Sequence, residues 1–244
     1  MHIITIANNK GGTAKTSTAA AILQAGAAEG KKVLAVDLDP QANLTFSLKG
    51  STQKAGCFDL LEGLPARQTI QETAQGIHLI AGSRNLATLT TAAGSATRLQ
   101  KALQPIKGIY DLIVIDTPPT AGELLFNALQ ASTGLLIPLR ADVFGLQGLY
   151  LIAETVKQIK KSNPALTIKG FVLTQYNGRS TLAKTMKTNI TAKAAELSIP
   201  CLAEIREGIA VPEAMSLQQS MFVYAPKAKP VQDYKELYNK IMEE

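Results

Sequence analysis

A short apolar run, Ile3-Ile4-Thr5-Ile6-Ala7, leads into Asn8-Asn9-Lys10-Gly11-Gly12-Thr13-Ala14-Lys15-Thr16-Ser17, and from there an alanine-rich, proline-free stretch runs to Glu29 and Gly30. Strand, glycine-rich turn and helix in that order constrain the fold more than any other feature of the chain. Such a turn offers backbone N–H groups to phosphate, with one lysine for charge and one Ser/Thr hydroxyl for Mg²⁺. Lys15 and Thr16 fill those two posts, and Lys10 is left over. At the mouth of the loop it cannot easily reach phosphates that its own loop wraps, but it can reach those of a second copy facing it. The surplus charge therefore predicts a dimer closed over two nucleotides. The strict spacing fails, because Asn9 and Ala14 stand where two glycines belong. Gly11 and Gly12 are then expected to supply the close backbone approach, and Ala14 to keep a negative φ.

Two further strand ends carry acids. Lys32-Val33-Leu34-Ala35-Val36 reads as a buried strand running into Asp37-Leu38-Asp39-Pro40-Gln41. In a parallel sheet ligands bind beyond the carboxyl ends of the strands, so both aspartates are expected to face the phosphate site. There a carboxylate can hold metal-bound water or orient the attacking one; the alternative is that Asp37 and Asp39 cap a helix starting near Gln41. Tyr110-Asp111-Leu112-Ile113-Val114-Ile115-Asp116-Thr117-Pro118-Pro119 is an apolar strand ending in an acid and a Pro-Pro stop, as a Walker-B element requires.

With these three motifs the chain resembles the ParA/MinD group of deviant Walker P-loop ATPases. The match runs through Lys-Gly-Gly-x-x-Lys-Thr at 10–16, Asp-x-Asp-Pro-Gln at 37–41 and the strand end at 116–119, and continues at 173–179, 205–207 and 224–229. The resemblance implies ATP and Mg²⁺, an ATP-sandwich homodimer, and hydrolysis that is slow until a ParB-like adaptor stimulates it. It also implies binding of the dimer to non-specific double-stranded DNA. It casts Lys10 as the lysine acting across the dimer, Lys15 as the phosphate lysine and Thr16 as the magnesium ligand. Gly11, Gly12, Thr13 and Ala14 complete the phosphate loop, and Ser17 meets the α-phosphate. Asp39 orients the catalytic water, Asp37 supports it near the metal, and Asp116 is the outer-sphere magnesium carboxylate. Adenine is expected around Tyr176 and Asn177 and around Arg206 and Glu207. The family usually has glycine where this chain has Ala14.

No linker or repeat divides residues 1–244, and a hydrophobic content of 46% is ample for one core. Strand-like runs at 77–81, 134–139, 168–174 and 201–203 alternate with helix-like stretches such as 144–161. The expected architecture is a single α/β domain, a doubly wound and mainly parallel sheet with helices on both faces. Residues 50–75 are expected to form surface helices beside the site. Cys57 and Cys201 lack metal-binding spacing and are expected to be buried thiols; His2 and His78 receive no role. The first strand begins almost at Met1 without a basic leader, and no apolar run approaches membrane-spanning length, so the expected location is cytoplasmic, on the nucleoid.

The net charge of +6 is unevenly spread. Between Thr155 and Ala195 stand Lys157, Lys160, Lys161, Lys169, Arg179, Lys184, Lys187 and Lys193, with no Asp or Glu. Lys184 and Lys187 share a helical face. With Lys193, Arg206, Lys227 and Lys229 they are the candidate contacts to a phosphate backbone, which needs such a patch and no base-reading motif. A solvated helical face is the bland alternative. Three functions compete: a DNA-partitioning switch or a related positioning switch for another cargo, a MinD-like membrane switch, and a small-molecule ligase or amidotransferase. The membrane switch needs a basic amphipathic tail. The tail here ends in Glu243-Glu244 and reads as a packed last helix, so no membrane partner is expected.

Overall fold

The computed structural model describes residues 2–89 and 95–243. Its strands are β1 (His2–Ile6), β2 (Val33–Asp37), β3 (Ile70–Glu72), β4 (His78–Ile80), β5 (Leu112–Asp116), β6 (Gly134–Leu139), β7 (Thr167–Tyr176) and β8 (Cys201–Arg206). They form one sheet in the order β3-β4-β2-β5-β1-β6-β7-β8, parallel except for β3 against β4. The central strands β2, β5 and β6 are buried at every position and apolar except for the Asp37 and Asp116 that end β2 and β5, as a parallel sheet covered by helices demands.

One face carries α1 (Lys15–Ala28) and α2 (Asn43–Ser47), together with the late helices α9 (Ala210–Ser216), α10 (Met221–Tyr224) and α11 (Lys229–Met242). The other carries α3 (Cys57–Leu61), α4 (Ala66–Thr69), α5 (Arg98–Leu103), α6 (Glu123–Ala131), α7 (Val143–Ile159) and α8 (Thr181–Glu196). Helix α1 is alanine-rich because it lies against the middle of the sheet, where small side chains let the backbones approach; Ala19, Ala20 and Ala21 are all fully buried. The last helix packs as its sequence implies, with Val231, Tyr234, Leu237, Tyr238 and Ile241 turned inward against α1 and β8. Glu244 lies outside the described residues.

Residues 50–75 depart in part from expectation. They hold the short helices α3 and α4, but also the antiparallel edge strand β3. Three residues with one buried position, Gln71, carry too little period-2 signal to read as a strand. Cys57 is buried as expected, whereas Cys201 is exposed, because it opens the edge strand β8 where no further strand covers it. His78 accepts or donates a hydrogen bond at 2.7 Å with the Tyr110 hydroxyl, a structural contact. Among the described residues no helix is long and apolar enough to cross a membrane.

Candidate functional site

Three strand ends meet in the middle of the sheet. β5 lies between β1 and β2, with Asp116 level with Ile6 on one side and Asp37 on the other. The first strand passes directly into the glycine turn, so the turn and the two acid-bearing loops lie side by side. This is the carboxyl-end crevice of an open α/β sheet.

The turn is built by backbone handedness. Gly12 has φ 71° and Ala14 has φ 60°, ψ 32°, both left-handed. The negative φ expected at Ala14 is thus wrong: the chain must turn left-handed there to enter α1, and alanine accepts the strain that glycine would avoid. Lys15 is buried, and its ammonium donates to the Lys10 carbonyl oxygen at 2.9 Å, folded over its own loop. Burial lowers its pKa, while the nearby Asp116 and Asp39 carboxylates raise it. Asn8 anchors the turn from below by donating to the Pro138 carbonyl at 2.7 Å.

Lys10 points elsewhere. Its ammonium is 3.2 Å from Asp142 Oδ2 and 4.1 Å from the centroid of the Phe144 ring, and its side chain is one-third exposed. Asp142 also caps α7, accepting from the Gly145 N–H at 2.7 Å. The two lysines of the loop are therefore separated, one inside it and one at its mouth.

The acids differ in kind. Asp37 is fully buried; one oxygen accepts from the Asp39 N–H at 3.1 Å, the other from the Thr45 N–H at 2.8 Å and the Thr45 hydroxyl at 2.7 Å. Burial pushes its pKa up to about 6 against those hydrogen bonds. A methyl group at Gly82 would lie 2.8 Å from the Asp37 carboxyl carbon, so glycine is what lets the β4 end close over it. Asp37 braces the loop in which Asp39 sits. Asp39 in turn accepts from the Gln41 N–H at 2.9 Å through one oxygen. The alternative reading as caps holds only for Asp37, which reaches the Thr45 N–H in the first turn of α2; the Asp39 bond to Gln41 falls before that helix begins at Asn43.

Asp116 accepts from the Thr117 N–H at 3.1 Å through Oδ1, while the Thr16 side chain lies against its carboxylate. Burial and the neighbouring Asp37 hold its pKa well above the usual carboxylate range, opposed by Thr16 and Lys15. Among the described residues the buried side-chain oxygens without a hydrogen-bond partner are Asn8 Oδ1, Asn9 Oδ1, Asp116 Oδ2 and Glu123 Oε2. Asn8, Asn9 and Asp116 stand at the strand ends just described, and Glu123 opens the helix that follows Pro119. Unsatisfied buried groups concentrated at one place mark a site that lacks its ligand's contacts. Thr16 and Asp116 form an oxygen donor set that suits Mg²⁺ bound largely through water and phosphate. Asn8, Asn9 and Glu123 were missed by the sequence reading; the Asn-Asn pair before the glycines was the available signal.

Next to the turn a cleft of about 500 Å³ runs from Ala14 and Ser17 to Arg206, Glu207, Ile209 and Tyr234. Arg206 and Glu207 thus lie where a base and ribose would follow the phosphates. Tyr176 and Asn177 do not line the cleft; the preceding Gln175 does, and the Tyr176 carbonyl accepts from the Glu207 N–H at 3.2 Å. Gln175 has φ 51°, which swings the chain away from the strand direction and turns the next two residues outward. Tyr176 instead lies under Lys187, 5.5 Å from ammonium to ring centroid. Arg206 is fastened to Asp233 of α11, its Nε donating at 2.9 Å.

The candidate phosphate-backbone cations are spread over neighbouring elements. Lys184, Lys187 and Lys193 lie on α8, Arg206 ends β8, and Lys227 and Lys229 are exposed at the start of α11. Lys187 is bridged to Glu204 and Lys193 to Glu196, so a phosphate would exchange for a carboxylate there.

A family model described as an AAA domain matches residues 1–168. The chain is 33% identical over 241 residues to the chromosome-partitioning ATPase Soj of Thermus thermophilus, covering 98% of this chain and 94% of the relative. It is 32% identical over 253 residues to the chromosome partitioning protein ParA of Caulobacter vibrioides, covering 99% and 94%. Its fold matches cobyrinic acid a,c-diamide synthase from Mycobacterium smegmatis with bound ADP and magnesium at a TM-score of 0.85 and 28% identity, over 100% of this chain and 94% of that one.

Proposed function

This chain belongs to the ParA/Soj family of ATPases, and we propose that it is an ATP- and Mg²⁺-dependent partitioning switch. In this reading ATP closes two copies into a dimer, and the dimer binds non-specific double-stranded DNA on the nucleoid. A ParB-like adaptor on the cargo then stimulates hydrolysis and release. The observation that carries it is the separation of the two loop lysines. Lys15 lies within the turn, whereas Lys10 stands at its mouth on Asp142 and Phe144, where a facing copy would meet it.

Bound MgATP supplies the phosphoryl group and the metal's charge. Lys15 neutralises phosphate charge within its own loop, Thr16 and Asp116 would hold the metal, Ser17 meets the α-phosphate, and the cleft around Arg206 and Glu207 receives the nucleoside. Asp39 orients the attacking water, held in register by Asp37. Lys10 from the facing copy adds positive charge only when the dimer is closed, which ties hydrolysis to assembly. The phosphate backbone of DNA is met by the cations on and around α8, without base-specific contacts.

Lys10→Ala is expected to bind nucleotide as a monomer and to lose cooperative ATPase activity; normal hydrolysis by that variant overturns the across-dimer role. Binding to non-specific duplex DNA with ATP, with ADP and without nucleotide, at two salt concentrations and beside anionic liposomes, tests the switch itself. ATP-dependent, salt-sensitive DNA binding without liposome binding is the expected result. Liposome binding alone supports the membrane reading, and binding to neither DNA nor liposomes points to the small-molecule ligase reading.

A further inference from the structure

We propose that a groove between α3, α4 and α5 docks an acidic amphipathic segment of a partner protein, separately from the nucleotide cycle. The groove measures about 490 Å³, within the range of built binding pockets. It shares no residue with the nucleotide cleft and belongs to the opposite layer of the sheet. Leu60, Leu61 and Ile106 close it from beneath, and Leu64 stands half-buried on its wall.

Charge complementarity names the occupant. Arg67, Arg98 and Lys101 line the groove, and among the described residues no acid does. Arg98 is tied to Glu62 at 3.1 Å, but Arg67 and Lys101 are exposed and make no ion pair among the described residues. Lys101 also borders an adjoining cavity of about 280 Å³ that Lys107 lines, so the positive strip continues past the end of α5. Two unpaired cations beside an apolar floor favour a ligand that brings carboxylates and apolar anchors together, the pattern of an amphipathic helix laid in a groove. The recessed floor favours such a segment over a lipid surface, which would meet only the rim.

The test uses the full chain and a fluorescent helical peptide of leucines at i, i+3, i+4 and i+7 with glutamates on the other face. Anisotropy titration is expected to show saturable, salt-weakened binding that is the same with ATP, with ADP and without nucleotide. Arg67→Glu with Lys101→Glu is expected to weaken it about tenfold or more while ATPase and DNA binding stay as in the parent. Lys10→Ala is expected to leave peptide binding unchanged, so failure of this proposal and failure of the partitioning reading are told apart. No saturable binding overturns the proposal, as does equal affinity in the charge-reversed variant or equal binding of the peptide with lysine in place of glutamate. In those last two cases the arginine and lysine stems merely shelter apolar surface. Charge-dependent binding to phosphatidylglycerol vesicles without peptide binding likewise overturns it in favour of a lipid surface.

Discussion

Ala14 is where one residue departs from what its neighbours ask of it. With φ 60° it occupies the left-handed region that costs an L-residue roughly 1–2 kcal/mol. Ala14→Gly is expected to raise stability by about 1 kcal/mol in urea unfolding, since glycine is at ease there; a loss of stability would show that the alanine methyl has packing value that outweighs the strain. Asp37 makes a second prediction. Its pKa of about 6 in the folded chain lies above the unfolded value, so folding binds a proton between the two. The stability it allows is therefore full below about pH 4 and declines as pH rises towards 6. Denaturation of the nucleotide-free protein from pH 4 to pH 7 is expected to show the parent losing stability relative to Asp37→Asn over that window and no further change above it. The acids and both lysines were legible from their places at strand ends, because chemistry and spacing coincide there. The sign of φ at Ala14 was not, because a residue type reports preference and the geometry of the turn overrode it.

At the scale of elements, the nucleotide cleft has two walls of unequal legibility. The turn wall is local and could be read directly. The other wall is assembled from β8, the loop after it and α11, and its left-handed Gln175 displaced the expected Tyr176 and Asn177. A one-residue change in chain direction cannot be seen in composition, and neither can the three-residue strand β3. Helix α11 holds this far wall through the Arg206–Asp233 pair and the buried Leu237. Leu237→Ala is expected to cost about 3 kcal/mol and to weaken nucleotide binding. Leu149→Ala, equally buried on α7 in another cluster, is expected to cost a similar amount without changing nucleotide affinity. Thermal melts beside nucleotide titrations separate the two; equal effects on affinity would mean that α11 has no special hold on the cleft.

Across the whole molecule, the charge is sorted by element rather than spread. The acid-free span from Thr155 to Ala195 covers the last turn of α7, all of β7 and all but the last residue of α8. In the partitioning reading, each phosphate-contacting lysine contributes about one unit to the salt slope of DNA binding. Reversing Lys184 and Lys187 is expected to reduce that slope by about two and weaken DNA binding while ATP-driven dimerisation persists; an unchanged slope would exclude the α8 face. The sheet order has a consequence for synthesis. β1 lies in the interior of the sheet, yet its two neighbours, β5 and β6, begin at Leu112 and Gly134. A ribosome thus makes the phosphate turn well before β5 and β6, while its strand waits with both edges unpaired until they emerge. The cleft wall of Arg206, Glu207 and Tyr234 comes later still, on the order of ten seconds after the turn. A nascent chain of this kind carries the complete signature of a nucleotide site long before it can hold a nucleotide, and is most in need of chaperone cover during that interval.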